Sequence, residues 1–595
     1  MAVTESVTGG TFGGAHAAHE GILRRQSARE SRARTYARAL PIVPVRARGL
    51  TIEGADGRRY LDCLSGAGTL ALGHNHPVVL EAIRKVLDSG APLSVLDLAT
   101  PVKDAFITEL FRTLPPGLAD RARVQFCGPA GTDAVEAAFK LVRAATGRTG
   151  ILAFTGAYHG MTTGALAASG GADDVRVARL PYPQDYRCPF GVGGPVGAEL
   201  AARWTESVLD DPKSGVPLPA GMILEPVQGE GGVIPAPDEW LRRMRRLTAD
   251  RSIPLVADEI QTGVGRTGAF WAVEHSGVTP DVMVLSKAIG GSLPLAVVVY
   301  RDDLDVWEPG AHAGTFRGNQ LAMAAGTATL AHVRENGLAE RAGHLGSRML
   351  SQLRVLQEEF ACVGDVRGRG LMIGVELVDP EGEERAGAAG ERRAGVAEEG
   401  CVRAVGAAGE AGVRPAGEGE GEVWGSGRAV EMRGGALGGG AMGGGGLDGG
   451  AIGVGGLGGG AMGGGGWDDD AVSGGGWSGG VASGGHRGGG EASGGDRGGG
   501  AVSGWGGAGR PRPHPAAPEL ASAVQRACLE RGLIVELGGR HAGVVRLLPP
   551  LNITDEQATA VLDRLADAVA AVARDPAAHG VRQPRRPDGR KEPAG

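Results

Sequence analysis

A lysine and an aspartate each follow a short apolar run of the sequence, and together they could bind one cofactor. Lys287 follows Val282–Leu285 and precedes the glycines at 290–291, while Asp258 follows the apolar run 254–257. Short apolar runs bounded by turn residues are typical of buried strands. Pyridoxal phosphate (PLP) needs both side chains, because its aldehyde bonds a lysine amine and its ring nitrogen pairs with a carboxylate. The two residues alone are equally compatible with a surface lysine and an aspartate that caps a helix.

A glycine-rich turn between a predicted strand and a predicted helix could hold the phosphate of such a cofactor. The strand at 123–126 runs into Gly131 and Thr132, and the helix follows at 134–145. Free backbone N–H groups and the positive end of the helix dipole favour a phosphate at this place, and Thr132 adds a hydroxyl donor. The turn is a weak signal by itself, because Asp133 could simply cap the helix.

Two further candidates follow predicted strands. Tyr158 comes after the strand Ile151–Phe154 and could stack on a flat ring. Glu230 comes shortly after an apolar run at 222–224. Strands that alternate with helices predict a mostly parallel sheet, in which ligands bind at the carboxyl ends of the strands. Because all of these candidates lie at such ends, the pattern favours one binding site over a scatter of helix caps.

Composition and charge exclude several classes of protein. The formal net charge of −7 gives no electrostatic case for a nucleic-acid partner. No apolar run is long enough to span a bilayer, and residues 1–19 lack the apolar core of a signal peptide, so we expect a cytoplasmic protein without a membrane partner. The six cysteines show no metal-binding spacing, so we expect reduced thiols and no metal site.

A change of composition divides the chain. Residues 381–515 are dominated by Gly, Ala, Glu and Arg, and later by Gly, Ser and Ala. Without apolar periodicity they are predicted to be disordered, so they interrupt a discontinuous small domain as a long inserted loop. The predicted organisation is a disordered N-terminus at 1–20, the first part of the small domain at 21–75, a large PLP-binding domain at 76–333, small domain at 334–380, the insertion at 381–515, small domain at 516–573, and a flexible tail at 574–595.

The chain has motifs at 225–232, 255–268, 285–291 and 314–316. Together they resemble those of a known family, the class III aminotransferases of the fold-type-I PLP group. The resemblance covers about residues 25–380 and 516–573 and does not extend to the glycine-rich block. It implies an α/β fold, in which a large domain with a mostly parallel sheet flanked by helices carries a smaller discontinuous α+β domain. It also implies a homodimer with shared active sites.

The resemblance implies a role for each cofactor-binding residue. Lys287 would bond the cofactor aldehyde and later move a proton between the substrate carbon and the cofactor. Asp258 would pair with the ring nitrogen and keep the ring an electron sink. The remaining implied contacts are phosphate binding by Gly131 and Thr132, phosphate binding in the neighbouring subunit by Thr315, ring stacking by Tyr158, and a contact with the ring hydroxyl by Gln261.

The resemblance also implies how the two substrates bind. Arg546 would hold the α-carboxylate of 2-oxoglutarate, whose shape suits a guanidinium group. Glu230 would pair with Arg546 while the donor occupies the site, so that one pocket accepts first a cationic amine and then a dicarboxylate. An ordinary surface arginine at the end of a strand is the alternative interpretation of Arg546.

Within the class, four stretches are similar to those of enzymes that act on L-2,4-diaminobutanoate: 29–36, 65–77, 96–103 and 314–319. They imply transfer of the γ-amino group of this donor to 2-oxoglutarate, which gives aspartate 4-semialdehyde and glutamate. The product could serve siderophore, other specialised-metabolite or ectoine biosynthesis. The alternatives are another donor (ornithine, 4-aminobutyrate or lysine), an aminomutase, or an inactive scaffold that recruits partners through the glycine-rich block.

Overall fold

The computed structural model describes residues 12–171, 176–382 and 513–581. Its helices are α1 (Phe12–Arg29), α2 (Tyr36–Ala39), α3 (Pro77–Asp88), α4 (Pro101–Thr113), α5 (Gly131–Thr146), α6 (Thr163–Ser169), α7 (Gly194–Asp210), α8 (Asp238–Asp250), α9 (Gln320–Glu335), α10 (Leu338–Glu359), α11 (Pro518–Glu530) and α12 (Asp555–Arg574). Its strands are β1 (Pro44–Arg48), β2 (Thr51–Gly54), β3 (Arg59–Asp62), β4 (Ala122–Phe126), β5 (Ile151–Phe154), β6 (Val177–Leu180), β7 (Gly221–Leu224), β8 (Val227–Gln228), β9 (Ile234–Pro235), β10 (Leu255–Asp258), β11 (Val282–Leu285), β12 (Val297–Arg301), β13 (Val363–Arg369), β14 (Met372–Leu377), β15 (Leu533–Ile534), β16 (Glu536–Gly538) and β17 (Val544–Leu547). None of the helices in the described ranges is long and apolar enough to cross a membrane.

A seven-stranded sheet in the order β4-β12-β11-β10-β7-β5-β6 carries the predicted cofactor-binding strands. Only β12 in this sheet runs against its neighbours. Alternate side chains point to opposite faces, as the pleat requires: Val256 packs in a core with Phe139 of α5, whereas Leu255 packs in another with Trp240 of α8. The predicted mostly parallel sheet flanked by helices is therefore confirmed.

Two four-stranded sheets join the N-terminal and C-terminal parts of the chain. The order of the first is β1-β2-β3-β15, where Leu61 of β3 pairs in parallel with Leu533 of β15. The order of the second is β13-β14-β17-β16, where Gly374 of β14 pairs with Arg546 of β17. Segments from both sides of the glycine-rich block therefore build common sheets, although the boundaries of the two domains stay a prediction.

The two segments that flank the glycine-rich block lie side by side. Val378 and Ala516 form an antiparallel bridge, and the backbone N–H of Asp379 donates to the carbonyl of Pro515 at 2.9 Å. The predicted insertion at 381–515 is therefore too wide, because its edges are hydrogen-bonded into the fold. Its central part, 383–512, lies outside the described residues.

Both chain ends depart from their predicted disorder. Helix α1 starts at Phe12, so the disorder predicted for 1–20 is wrong from that residue on, while 1–11 lie outside the described residues. Alanine is the best helix former, and the alanines at 15, 17 and 18 favour a helix that starts within the segment predicted to be disordered. At the other end, α12 finishes as predicted, but Val581 still packs against the core, and only 582–595 lie outside the described residues.

Candidate active site

Lys287 lies in a strained turn at the end of β11. It opens a 3-10 turn, Lys287–Gly290, with a φ of 52°, a left-handed conformation that is uncommon for residues other than glycine and clusters at functional sites. The side chain is half-buried. Burial lowers the pKa of its amine, although the carboxylates of Glu230 and Glu536 oppose this effect. A lowered pKa raises the fraction of neutral amine, which is the form that attacks an aldehyde.

Asp258 ends β10, beside the strand that leads to Lys287, and is held by a buried histidine. His159 Nδ1 lies 2.7 Å from Oδ2 of Asp258, and the N–H of Ile260 donates to Oδ1 at 3.1 Å. Burial lowers the pKa of His159, but the hydrogen bond to Asp258 and the charges of Asp258 and Glu225 outweigh it, so that the pKa is raised. The contact with Asp258 therefore favours the protonated form of His159.

The sequence analysis did not include His159 among the candidates. Its adjacency to Tyr158 was a signal that this loop is near the site, but nothing in the spacing shows that its ring reaches Asp258. The Nε2 atom of His159 is buried and has no hydrogen-bond partner among the described residues. The structure therefore adds a positioning residue behind the aspartate.

The turn before α5 forms a close backbone cradle. Helix α5 starts at Gly131, where an added Cβ would lie 2.8 Å from Ile260 Cδ1. Thr132 Oγ1 lies 2.6 Å from Thr162 Oγ1. Asp133 is the third residue of α5 and not its N-cap, which is Ala130, so the capping alternative is wrong; its side chain accepts a hydrogen bond from the N–H of Ala130 at 3.0 Å. A helix N-terminus with glycine at its first position suits a phosphate group.

Arg546 is fully buried on β17 and lies between two carboxylates. Its Nη2 atom is 2.7 Å from Oε2 of Glu230 and 2.7 Å from Oε2 of Glu536. Its Nε and Nη1 atoms have no hydrogen-bond partner among the described residues. The surface position that was the alternative for Arg546 is thus wrong. A buried guanidinium with two such nitrogens can receive a substrate carboxylate.

The remaining predicted residues differ in their placement. The Nε2 of Gln261 donates to the carbonyl of Ala67 at 3.1 Å, and its buried Oε1 has no partner in the described part of the chain. Tyr158 is partly exposed, and its N–H donates to Glu225 at 3.0 Å. Thr315 is exposed on the loop before α9, so the single chain does not place it among the buried groups around Lys287.

These features fit PLP. Lys287 offers an amine, Asp258 a buried carboxylate whose charge acts on that amine, and Gly131 a cradle that an added Cβ would fill. The unpartnered Oε1 of Gln261 gives a polar atom for the edge of a ring. The donor set therefore has one group for each of the cofactor's aldehyde, ring and phosphate.

Comparisons with known proteins find relatives of this chain and solved structures of the same fold. The chain is 58% identical over 368 residues to diaminobutyrate--2-oxoglutarate aminotransferase of Rhizobium meliloti, covering 60% of the chain and 78% of the relative. It is 49% identical over 371 residues to the Haemophilus influenzae protein of the same name, covering 61% and 81%. An amine transaminase from an uncultivated Pseudomonas species has the same fold, with a TM-score of 0.62 and 23% identity over 89% of this chain and 95% of that one.

The family assignment follows from a match over more than half of the chain. Residues 32–413 match the family model described as aminotransferase class-III. The match includes the strand that ends in Asp258 and the turn that begins with Lys287. The chain belongs to the class III aminotransferases, a family that depends on PLP.

Proposed function

We propose that this enzyme transfers the γ-amino group of L-2,4-diaminobutanoate to 2-oxoglutarate, giving L-aspartate 4-semialdehyde and L-glutamate, and that it also catalyses the reverse reaction. The observation that carries the proposal is the buried Arg546 between Glu230 and Glu536. Such a pocket has a cation for a substrate carboxylate and carboxylates for a substrate ammonium group. The names of the two relatives support the same donor and acceptor.

The residues around Lys287 would divide the work of the reaction. PLP, when bound, supplies a ring that withdraws electrons from the substrate carbon. Asp258, backed by His159, would hold the proton on the ring nitrogen. Lys287 Nζ would carry a proton between the substrate carbon and the cofactor, as a general base and then a general acid. The N-terminus of α5 at Gly131 and Thr132 would anchor the phosphate.

The ion pair between Glu230 and Arg546 would let one pocket take two kinds of substrate. With the diamino donor bound, Glu230 occupies Arg546 and neutralises it. With 2-oxoglutarate bound, its α-carboxylate replaces Glu230 on the guanidinium, whose planar fork matches a carboxylate. Arg546 therefore keeps a carboxylate partner in both halves of the reaction, whereas a buried guanidinium without one would be costly.

We propose a homodimer as the active form. Leu93, Leu96, Leu98 and Phe316 are 48%, 51%, 65% and 71% exposed, and exposed apolar clusters mark protein interfaces. An ion pair of 2.6 Å between Arg317 and Asp97 brings their two loops together. A second copy on this surface would receive Thr315 at its phosphate site. A monomer that stays active at high dilution would contradict this proposal.

The cytoplasmic location expected from the sequence stays a prediction.

The identity of the products tests the proposed reaction. We expect aspartate 4-semialdehyde, trapped as an arylhydrazone and identified by its retention and fragmentation against an authentic standard, to appear together with glutamate in equal amounts. Formation of the isomeric 2-oxo acid would show that the α-amine reacts instead. An aminomutase would form its product without 2-oxoglutarate, so the reaction is also run without the acceptor.

A further inference from the structure

The pocket contains one carboxylate more than a two-substrate switch at Arg546 requires. Glu230 alone is sufficient to neutralise the arginine when no substrate carboxylate is present. Glu536 lies across the strand pair from Arg546, in direct register between β16 and β17, and its side chain is only 7% exposed. Burial of a carboxylate is costly unless a cation compensates it, so a second acid at this place calls for a second cation.

Glu536 is also held in place from the other side. The hydroxyl of Tyr36 on α2 donates to its Oε1 at 2.7 Å. The Oε2 atom is within ion-pair distance of Arg546 but is not aligned for a hydrogen bond with it. Tyr36 therefore fixes one oxygen, while the other is available to a further hydrogen-bond donor.

The charges around Glu536 are unbalanced. Arg546 and Lys287 are the cations that stabilise its ionised form, and Glu230 opposes them. Two carboxylates and one guanidinium leave one negative charge in excess, and Lys287 would be bonded to the cofactor in the loaded enzyme. Burial raises the pKa of Glu536, whereas Arg546 holds the pKa of Glu230 below its usual range despite burial. Arg546 donates a hydrogen bond to Glu230 at 2.7 Å but none to Glu536, so Glu230 is its main partner.

We propose that Glu536, positioned by Tyr36, binds the non-reacting α-ammonium group of a diamino acid donor. This inference rests on the proposed function and adds the residue that selects the donor. L-2,4-diaminobutanoate carries a second ammonium group two carbons from the reacting carbon, and 4-aminobutyrate has only hydrogen there. A buried carboxylate therefore discriminates between the two, because it is compensated by the first donor and stays uncompensated with the second.

Separate half-reactions of the purified holoenzyme test this role. The cofactor absorbance reports amino transfer from L-2,4-diaminobutanoate, from 4-aminobutyrate and from L-glutamate, each in the absence of an acceptor. For Glu536→Gln we expect kcat/KM with L-2,4-diaminobutanoate to fall by about 10- to 100-fold, as for loss of one charged hydrogen bond. With L-glutamate, which has no second ammonium group, we expect a change of less than about threefold. Because the diamino acid loses a contact that 4-aminobutyrate never makes, the preference for the diamino acid over 4-aminobutyrate should shrink.

Matched variants show whether Glu536 binds the ammonium group of the donor or only supports Arg546. Glu530→Gln makes the same change at an exposed position of α11 and should alter neither half-reaction. Glu536→Asp keeps the charge and should retain part of the preference. Tyr36→Phe removes only the fixing hydrogen bond and should cost about fivefold with the diamino acid.

Two outcomes would overturn the inference. Equal losses with L-2,4-diaminobutanoate and L-glutamate in Glu536→Gln would mean that Glu536 only supports Arg546, and an unchanged rate with the diamino acid would mean that it binds nothing. A wild-type enzyme that reacts with L-glutamate but not with L-2,4-diaminobutanoate would instead contradict the proposed function, and the inference with it.

Discussion

The left-handed turn at Lys287 sets the position of the amine on which the chemistry depends. Lys287→Ala removes that amine and should lower turnover by at least about a thousandfold, because residues that act as one catalytic unit fail together. The absorbance of the lysine-bound cofactor should disappear as well. Lys213→Ala changes an exposed lysine and serves as the control. Sustained multiple turnover by Lys287→Ala would show that another lysine bonds the cofactor.

The carboxylate of Asp258 should act through its charge. Asp258→Asn keeps the size of the side chain but removes the negative charge opposite His159, so kcat should fall by about 100-fold or more, as for loss of a preorganised electrostatic contact. Single-turnover rates at saturating cofactor measure the effect, and Asp563→Asn on the exposed face of α12 is the control. Wild-type rates in Asp258→Asn would show that the charge of Asp258 is not needed beside the ring nitrogen.

Some of these residues could be predicted from the sequence and others could not. Lys287 and Asp258 were found because each follows an apolar strand in a local motif. His159, Glu536 and Tyr36 escaped because their roles come from contacts between distant segments: Tyr36 meets Glu536 across 500 positions of the chain. Sequence spacing carries no information about such contacts.

At the scale of elements, a buried glutamate holds the loop after β10 in place. Glu259 accepts hydrogen bonds from the backbone N–H of Val273 at 2.9 Å and from the hydroxyl of Thr262. Burial raises the pKa of Glu259 to about 7, above its usual value. Between the two values the folded protein binds a proton that the unfolded chain has lost, so the free energy of unfolding falls as pH rises through this window.

Glu259→Gln should remove this dependence on pH. Gln cannot ionise, so the free energy of unfolding of the variant should fall less steeply from pH 5 to 7 than that of the wild type, by up to about 1.4 kcal/mol per pH unit. Denaturant unfolding at several pH values gives both slopes, and ionisable groups common to the two proteins cancel in the comparison. Parallel slopes would mean that Glu259 is already ionised at pH 5.

The elements themselves were largely predictable, since local patterns specify them. The Asp-Gly pair at 56–57 is typical of a hairpin turn, and β2 and β3 pair around it. Thr554 and Gln557 have the spacing of a helix cap, and they are hydrogen-bonded reciprocally at 3.2 and 3.0 Å. The early start of α1 was missed because a glycine- and alanine-rich composition suggests disorder as readily as helix.

At the scale of the whole molecule, the glycine-rich block should be dispensable for the chemistry. Gly382 and Pro513 are the last described residues on its two sides, and the hydrogen bond between Asp379 and Pro515 already joins the flanking chain. Replacing 383–512 with a short turn should therefore leave kcat/KM within about twofold of the wild type, since such sites tolerate insertion and deletion. A folded deletion variant without activity would give the block a role in the reaction.

The formation of glutamate from L-2,4-diaminobutanoate and 2-oxoglutarate tests the central claim most directly. Initial rates are measured for this donor with ornithine and 4-aminobutyrate run beside it. We predict that L-2,4-diaminobutanoate gives the highest kcat/KM, by about tenfold or more over either competitor, because only its second ammonium group is placed for the pocket. Absence of glutamate from all three donors in a protein that retains bound PLP would contradict the proposed reaction, while the family and the fold would stand.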